Sequence, residues 1–173
     1  MSSSQIIRDG AIVNDDWILI AADHDTALPR GKLIVPLKVW ALRKTELLAR
    51  AEPIGVWLDG HGDVATLADS VDQLALIAIN FPKFADGRGY SAAALLRTRY
   101  GFKGELRAIG DILRDQLFYM RRVGFNAFAL RADKDIVDAL KALNDFSESY
   151  QSATDQPTPL FRRRADHTSE SSA

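Results

Sequence analysis

Apolar and polar positions change rhythm along this chain, and each change marks a new element. The opening run IIRDGAIVNDDWILIA sets Asp9-Gly10 between two apolar stretches. A tight turn needs positive φ, which aspartate and glycine tolerate, so the pattern predicts a small N-terminal hairpin with Trp17 on its apolar side. A loop with Pro29 and Gly31 follows. Short β-branched runs then alternate with helically spaced ones. KLIVPL, IGVWL, LALIAINF, GELRAIG and NAFAL read as strands. LALIAINF is almost wholly apolar, as a strand buried on both faces should be. After them come KVWALRKTELLARA, VATLADSVDQLA, GYSAAALLRTRYG, DILRDQLFYMRRVG and KDIVDALKALNDFSESYQ, which read as helices. Asp63 is placed to cap the second of these, and Gly101 and Gly124 to stop the third and fourth.

Five strand–helix units in succession predict an α/β fold whose sheet is mostly parallel, with right-handed crossovers behind the N-terminal hairpin. Two architectures fit. An open three-layer sheet is favoured by the apolar character of LALIAINF, which suits a sheet centre; the alternative is a partial TIM-like barrel, since five units are too few to close eight strands. A partial barrel would leave apolar edges and suggest a homodimer, whereas an open sheet would not require one. Residues 1–155 read as a single α/β domain. Residues 156–173, with prolines, the triplet Arg162–Arg164 and a polar end, read as an extended arm that Leu160 and Phe161 could anchor, followed by disorder.

Composition narrows the chemistry. The 173 residues are 47% hydrophobic and 26% charged, which is enough apolar material for a core without cross-links. There is no cysteine, which excludes disulfides, thiol catalysis and cysteine-ligated iron–sulfur or zinc sites, and fits a cytoplasmic protein. No apolar run reaches the length of a membrane span, and the N-terminus lacks the pattern of a signal peptide. The net charge of −1 hides an asymmetry: between Phe81 and Arg131, ten Lys and Arg oppose four acids, so that segment is +6 and the remainder −7. Such a basic half suits an anionic ligand or an acidic protein partner, while surface ion pairing accounts for it equally well. Overall neutrality argues against nucleic acid.

In parallel α/β folds, ligands meet the loops that follow the strands. Two such loops carry the candidate residues and should lie on one edge of the sheet. In FPKFADGRGYS, Gly87 and Gly89 relax the backbone, Ser91 can cap the next helix, and Lys83 and Arg88 add charge, so that anion or partner binding is one reading and a well-capped turn the other. In AIGDILRDQ, Gly110 permits a tight turn, Asp111 is a natural N-cap, and Arg114 stands in a first helical turn where a cation needs a ligand or a carboxylate such as Asp86. Arg107, inside its strand, needs a partner if buried. If the protein is an enzyme, Asp86 or Asp111 would act as the acid/base, with the arginines orienting the substrate. His24, His61 and His167 lie in loops or the tail without metal-ligand spacing, and neither a phosphate-binding glycine motif nor a nucleophile elbow is present. No metal site or cofactor-binding pattern is identifiable. Most of the aromatics between Phe81 and Phe128 suit core packing.

The stretch FPKFADGRGYSAAALLRTRYGFKGELRAIGDILRDQLFYMRRVGFNAF resembles the bacterial domain of unknown function nine-three-four, and the likeness runs from the RDG hairpin to FRRR. Members of that family often carry the label of oxidoreductases involved in sulfite reduction, from genes that lie beside those of sulfite reductase and sulfate assimilation. The resemblance implies an accessory protein of assimilatory sulfite or sulfate reduction. It would bind the reductase, another sulfate-assimilation protein or an anion of that pathway through an Arg88/Arg107/Arg114 edge. The alternative is an enzyme acting on a small anionic or phosphorylated substrate at the strand ends.

Overall fold

The computed structural model describes residues 4–21, 27–59, 62–83 and 87–143. The expected C-terminal arm, the three histidines and Asp86 lie outside them. Strands β1 (Gln5–Arg8) and β2 (Ala11–Asn14) form the predicted hairpin, with Asp9 and Gly10 both at positive φ in its turn. Then come β3 (Trp17–Leu19), β4 (Lys32–Pro36), helix α1 (Leu37–Leu48), β5 (Ile54–Asp59), β6 (Leu76–Phe81), α2 (Arg88–Thr98), β7 (Glu105–Gly110), α3 (Leu117–Arg122), β8 (Ala127–Phe128) and α4 (Ile136–Ala142). One eight-stranded sheet takes the order β2-β1-β8-β7-β6-β5-β4-β3. Neighbours from β3 to β8 are parallel, and β1 is antiparallel to both β2 and β8.

That order corrects the open three-layer expectation. β2 and β3 lie at opposite ends of the sheet, yet only Asp15 and Asp16 join them. Seven flat inter-strand steps would separate the ends by roughly 34 Å, whereas three Cα–Cα steps reach at most about 11 Å. The sheet must therefore curl until its ends approach each other, which makes it a half-barrel with strands mostly in chain order. Trp17 accordingly does not pack within the N-terminal hairpin: it pairs with Lys32 on β4 and faces the concave side.

The helices cover the convex face. Leu33, Val35, Val56, Leu58, Ile77, Ile79, Leu106 and Phe128 meet Trp40, Leu47, Ala93, Leu96, Leu117 and Met120 in one continuous core. The concave face holds a smaller cluster of Ile34, Leu76, Ala78 and Ile109, with Trp17, Trp57 and Ala129 against it. Both-face burial of LALIAINF is thus real, but the curl buries its second face, not a second helical layer.

Two predicted helices are shortened for local reasons. VATLADSVDQLA forms two 3-10 turns, Val64–Leu67 and Val71–Gln73. Asp63 caps the first as predicted, accepting from Ala65 N at 2.9 Å, but Ser70 turns back on Leu67 O and Asp69, and its backbone leaves helical geometry. Polar side chains that bond nearby groups compete with the helical ladder in this way. DILRDQLFYMRRVG stays non-helical until a 3-10 turn at Arg114–Gln116, and only then enters α3. The predicted glycine stops hold, with positive φ at Gly101 and Gly124.

Candidate functional site

The ends of β6 and β7 do lie side by side, and Asp111 N donates to Phe81 O at 2.7 Å to close the turn after β7. Gly110 makes that turn with φ +94; a Cβ there would stand 2.5 Å from Asn80 Oδ1 and from Phe81 O. Asp111 is not an N-cap. Its Oδ1 accepts from Arg131 Nη1 at 3.0 Å, and the rest of the Arg131 fork is bound to Asp133 at 2.9 and 3.1 Å. The Arg131 guanidinium holds the Asp133 carboxyl below the usual aspartate range.

The candidate residues divide between the two faces. Lys83 and Ser91 are exposed after β6, and Arg88 opens α2, also exposed. Ser91 does not cap α2: the helix starts at Arg88, with Gly87 in the cap position, so Ser91 lies within its first turns. Gly89 serves packing, because a Cβ would stand 2.5 Å from Phe81 Cζ; the helix N-terminus rests on that ring. Arg114 Nε pairs with Asp138 Oδ2 of α4 at 2.8 Å, with about half of each side chain exposed, which explains its place near a helix start.

Arg107 points the other way. It is 1% exposed on the concave face. Its Nε donates to Glu105 Oε1 at 2.7 Å and its Nη1 to Asp15 Oδ2 at 2.9 Å. Arg8 Nη1 lies 3.6 Å from the other Glu105 oxygen, so two cations and two carboxylates balance. Asp15 belongs to the link that bridges the two ends of the sheet; the Arg107–Asp15 pair therefore fastens the curl from inside. The remaining guanidinium nitrogen, Nη2, is buried and has no hydrogen-bond partner. Asp15, Arg107 and Arg131 join Leu19, Ile34, Ile109, Gly110, Ala129 and Leu130 around a cavity of about 360 Å³ at the concave mouth.

Sequence reasoning identified the need of Arg107 for a partner but missed Glu105 and Asp15. Glu105 was findable, since residues two apart on a strand share a face. Asp15 was not, because it is 92 positions away and arrives only through the curl. Arg97, part of the basic half, is a structural clamp: it donates to the carbonyls of Phe102, Gly104 and Gly124 and to Asn126 Oδ1 at 2.6 to 3.1 Å. Its burial pulls the guanidinium pKa down.

On the convex side an aromatic chain leads from the core to the surface. Phe125 meets Phe81 (5.9 Å between ring centres), Phe81 meets Tyr90 (5.5 Å), and Tyr90 meets Tyr119 (5.2 Å), a residue that is 55% exposed. Burial, then Tyr119 and Asp115, push the Tyr90 hydroxyl pKa up. Leu95 is also exposed on α2. Among the described residues no group of three His, Cys, Asp or Glu could hold a metal ion, and no helix is long and apolar enough to cross a membrane.

No curated protein matches the chain. A family model described as "Bacterial protein of unknown function (DUF934)" matches residues 55–161, a narrower span than the likeness read from the sequence, starting inside β5 and leaving out the hairpin and the first strand–helix unit. That span covers more than half of the chain and all of the basic segment, and the chain belongs to this bacterial family of unknown function.

Proposed function

We propose that the protein is an accessory protein of assimilatory sulfite or sulfate reduction that docks on the reductase through the surface of α2 and α3. The observation that carries this reading is Tyr119, a large exposed aromatic packed against Tyr90, which in turn meets Phe81, within the most basic segment of the chain. Aromatic anchors with arginine around them are the groups that carry binding energy at protein interfaces, and a rigid ring loses little entropy on docking. Lys83 and Arg88 supply the charge that would steer an acidic partner toward it, while Arg114 is already paired with Asp138. The placement of Arg107 inside the barrel removes it from this edge.

The test is a pull-down with the tagged full-length chain from cells grown on sulfate, with captured proteins identified by mass spectrometry. Sulfite reductase subunits should be recovered by the wild type and lost with Tyr119→Ala combined with Arg88→Glu, exposed positions whose replacement leaves the core intact. Equal recovery by that variant, or no reductase with the wild type, rejects the surface or the function respectively. An enzyme acting on an anionic substrate remains the competing reading, and a phosphorylated metabolite recovered without the reductase would favour it.

A further inference from the structure

We infer that the outward face of α1 is a self-association surface, on which a second copy of this chain packs antiparallel about a two-fold axis at Thr45. The exposed, uncharged residues Ala41, Leu42, Thr45, Leu48 and Ala49 share that face, opposite the buried Val39, Trp40 and Leu47. Helical geometry is broken at Arg43, yet exposure keeps to the same side before and after the break. Leu42 is 76% exposed and Leu48 38%. The charged residues that border the face are already paired, Arg43 with Glu46 at 2.6 Å and Lys44 with Asp69 at 3.3 Å. An uncharged centre inside a rim of satisfied pairs is how protein interfaces are built.

Scattered exposed leucines need no explanation by themselves. The register is what selects the partner. In an antiparallel pair with Thr45 at the axis, residues equally far before and after it face each other. Leu42 then meets Leu48 of the second copy, and Ala41 meets its Ala49. The small side chains of Ala41, Thr45 and Ala49 let the helix axes approach to about 8 Å, the close end of helix packing. Lys38 meets Glu52 of the second copy, twice by symmetry. Lys38 is exposed and has no ion pair or hydrogen bond among the described residues. Glu52, just past the helix, has a side chain 40% exposed and only a 3.6 Å contact with Arg50, whose Nη2 is bound by the carbonyls of Pro29 and Gly31. A parallel pairing would set Lys38 against Lys38 and Glu52 against Glu52, so charge chooses the antiparallel one. A patch that matches itself in shape and charge under a two-fold axis points to a copy of the same chain as its occupant. One helix per copy makes a small contact, about 1,000 Å² in total, for which a dissociation constant on the order of 10 μM is expected. The face lies over β4 and β5 and shares no residue with the α2/α3 docking surface, so its test stands apart from that reading.

The experiment is sedimentation velocity on the full-length chain, at concentrations that span that constant. The wild type should pass from monomer to dimer as concentration rises. Leu42→Glu, at an open position whose replacement leaves the core intact, should raise the dissociation constant about tenfold or more. Its urea midpoint, read at a concentration where the wild type is monomeric, should not change. Lys38→Glu sets two carboxylates against each other and should weaken association about fivefold or more, whereas Lys38→Glu combined with Glu52→Lys restores the pairing and should return it to within about threefold of the wild type. A wild type that stays monomeric throughout, a dimer that Leu42→Glu leaves intact, or a double charge reversal no better than the single one would each overturn the proposal.

Discussion

The two faces of the sheet solve burial by opposite means. Leu106 and Arg107 are consecutive on β7, and both are essentially excluded from water. Leu106 joins a helix-covered core whose members need only fit. Arg107 faces an interior formed by the curl, where a charge is tolerated because two carboxylates meet it and a third contact, from Arg8, balances them. The convex core is generic and supports the fold wherever apolar volume is conserved. The concave network is specific: it depends on Asp15 arriving at one position, and so couples the closure of the sheet to a single ion pair.

That contrast can be broken most strongly at Arg107. Arg107→Ala leaves two largely buried carboxylates without their main counterion and should cost about 3–5 kcal/mol in urea unfolding. Adding Asp15→Asn and Glu105→Gln to that variant should recover more than half of the loss. A triple variant as unstable as the single one would show that Arg107 acts by packing and not by charge. On the other face, Leu106→Ala should cost about 3 kcal/mol through the cavity it leaves, with no partner substitution able to restore it. Gly89→Ala sharpens the comparison further. Helix propensity favours alanine, but the new Cβ meets the Phe81 ring at 2.5 Å, so a net loss of about 1–3 kcal/mol in the same assay is expected, and a gain would mean that α2 can lift off that ring.

The smallest effect belongs to the exposed Arg131 cluster. Arg131→Gln should leave the urea midpoint at neutral pH unchanged within error, since exposed pairs are screened by water and salt. The change should appear instead in the titration of Asp133 itself. The Asp133 carboxyl titrates below the ordinary aspartate value because Arg131 binds its charged form. The stability it contributes is fully present above the ordinary value and is lost as pH falls through the depressed one. A carboxylate NMR titration should show the Asp133 midpoint rising toward the ordinary value in Arg131→Gln, and an unchanged midpoint would mean that the ion pair is not formed in solution.

Much of the convex face was legible in the sequence because its signals are local. LALIAINF announced a doubly buried strand, the Asp9-Gly10 turn a hairpin, and Gly101 and Gly124 the ends of helices. The curl was legible only as the less favoured alternative, the partial barrel. It is dictated by the shortness of the Asn14-to-Trp17 connection together with a strand order that places β2 and β3 at opposite ends, and strand order is not written in local pattern. The same fact separated the candidate arginines: alternation along β7 turns Arg107 inward, while Arg88 and Arg114 stand on the convex side. Ser91 and Asp111 were misplaced as caps because each helix boundary fell three positions from the residue with capping chemistry, set by the packing of Gly89 on Phe81 and by the Gly110 turn.

The most direct test of this division of labour is an NMR titration of the ¹⁵N-labelled full-length protein with purified sulfite reductase. Binding to a large partner broadens the amide signals at the contact first. The account predicts early loss of intensity at Arg88, Leu95 and Tyr119, with Ile109 and Ala129 fading only as the whole spectrum does. Uniform retention of all signals, or early loss at Ile109 and Ala129 with Tyr119 spared, would contradict it.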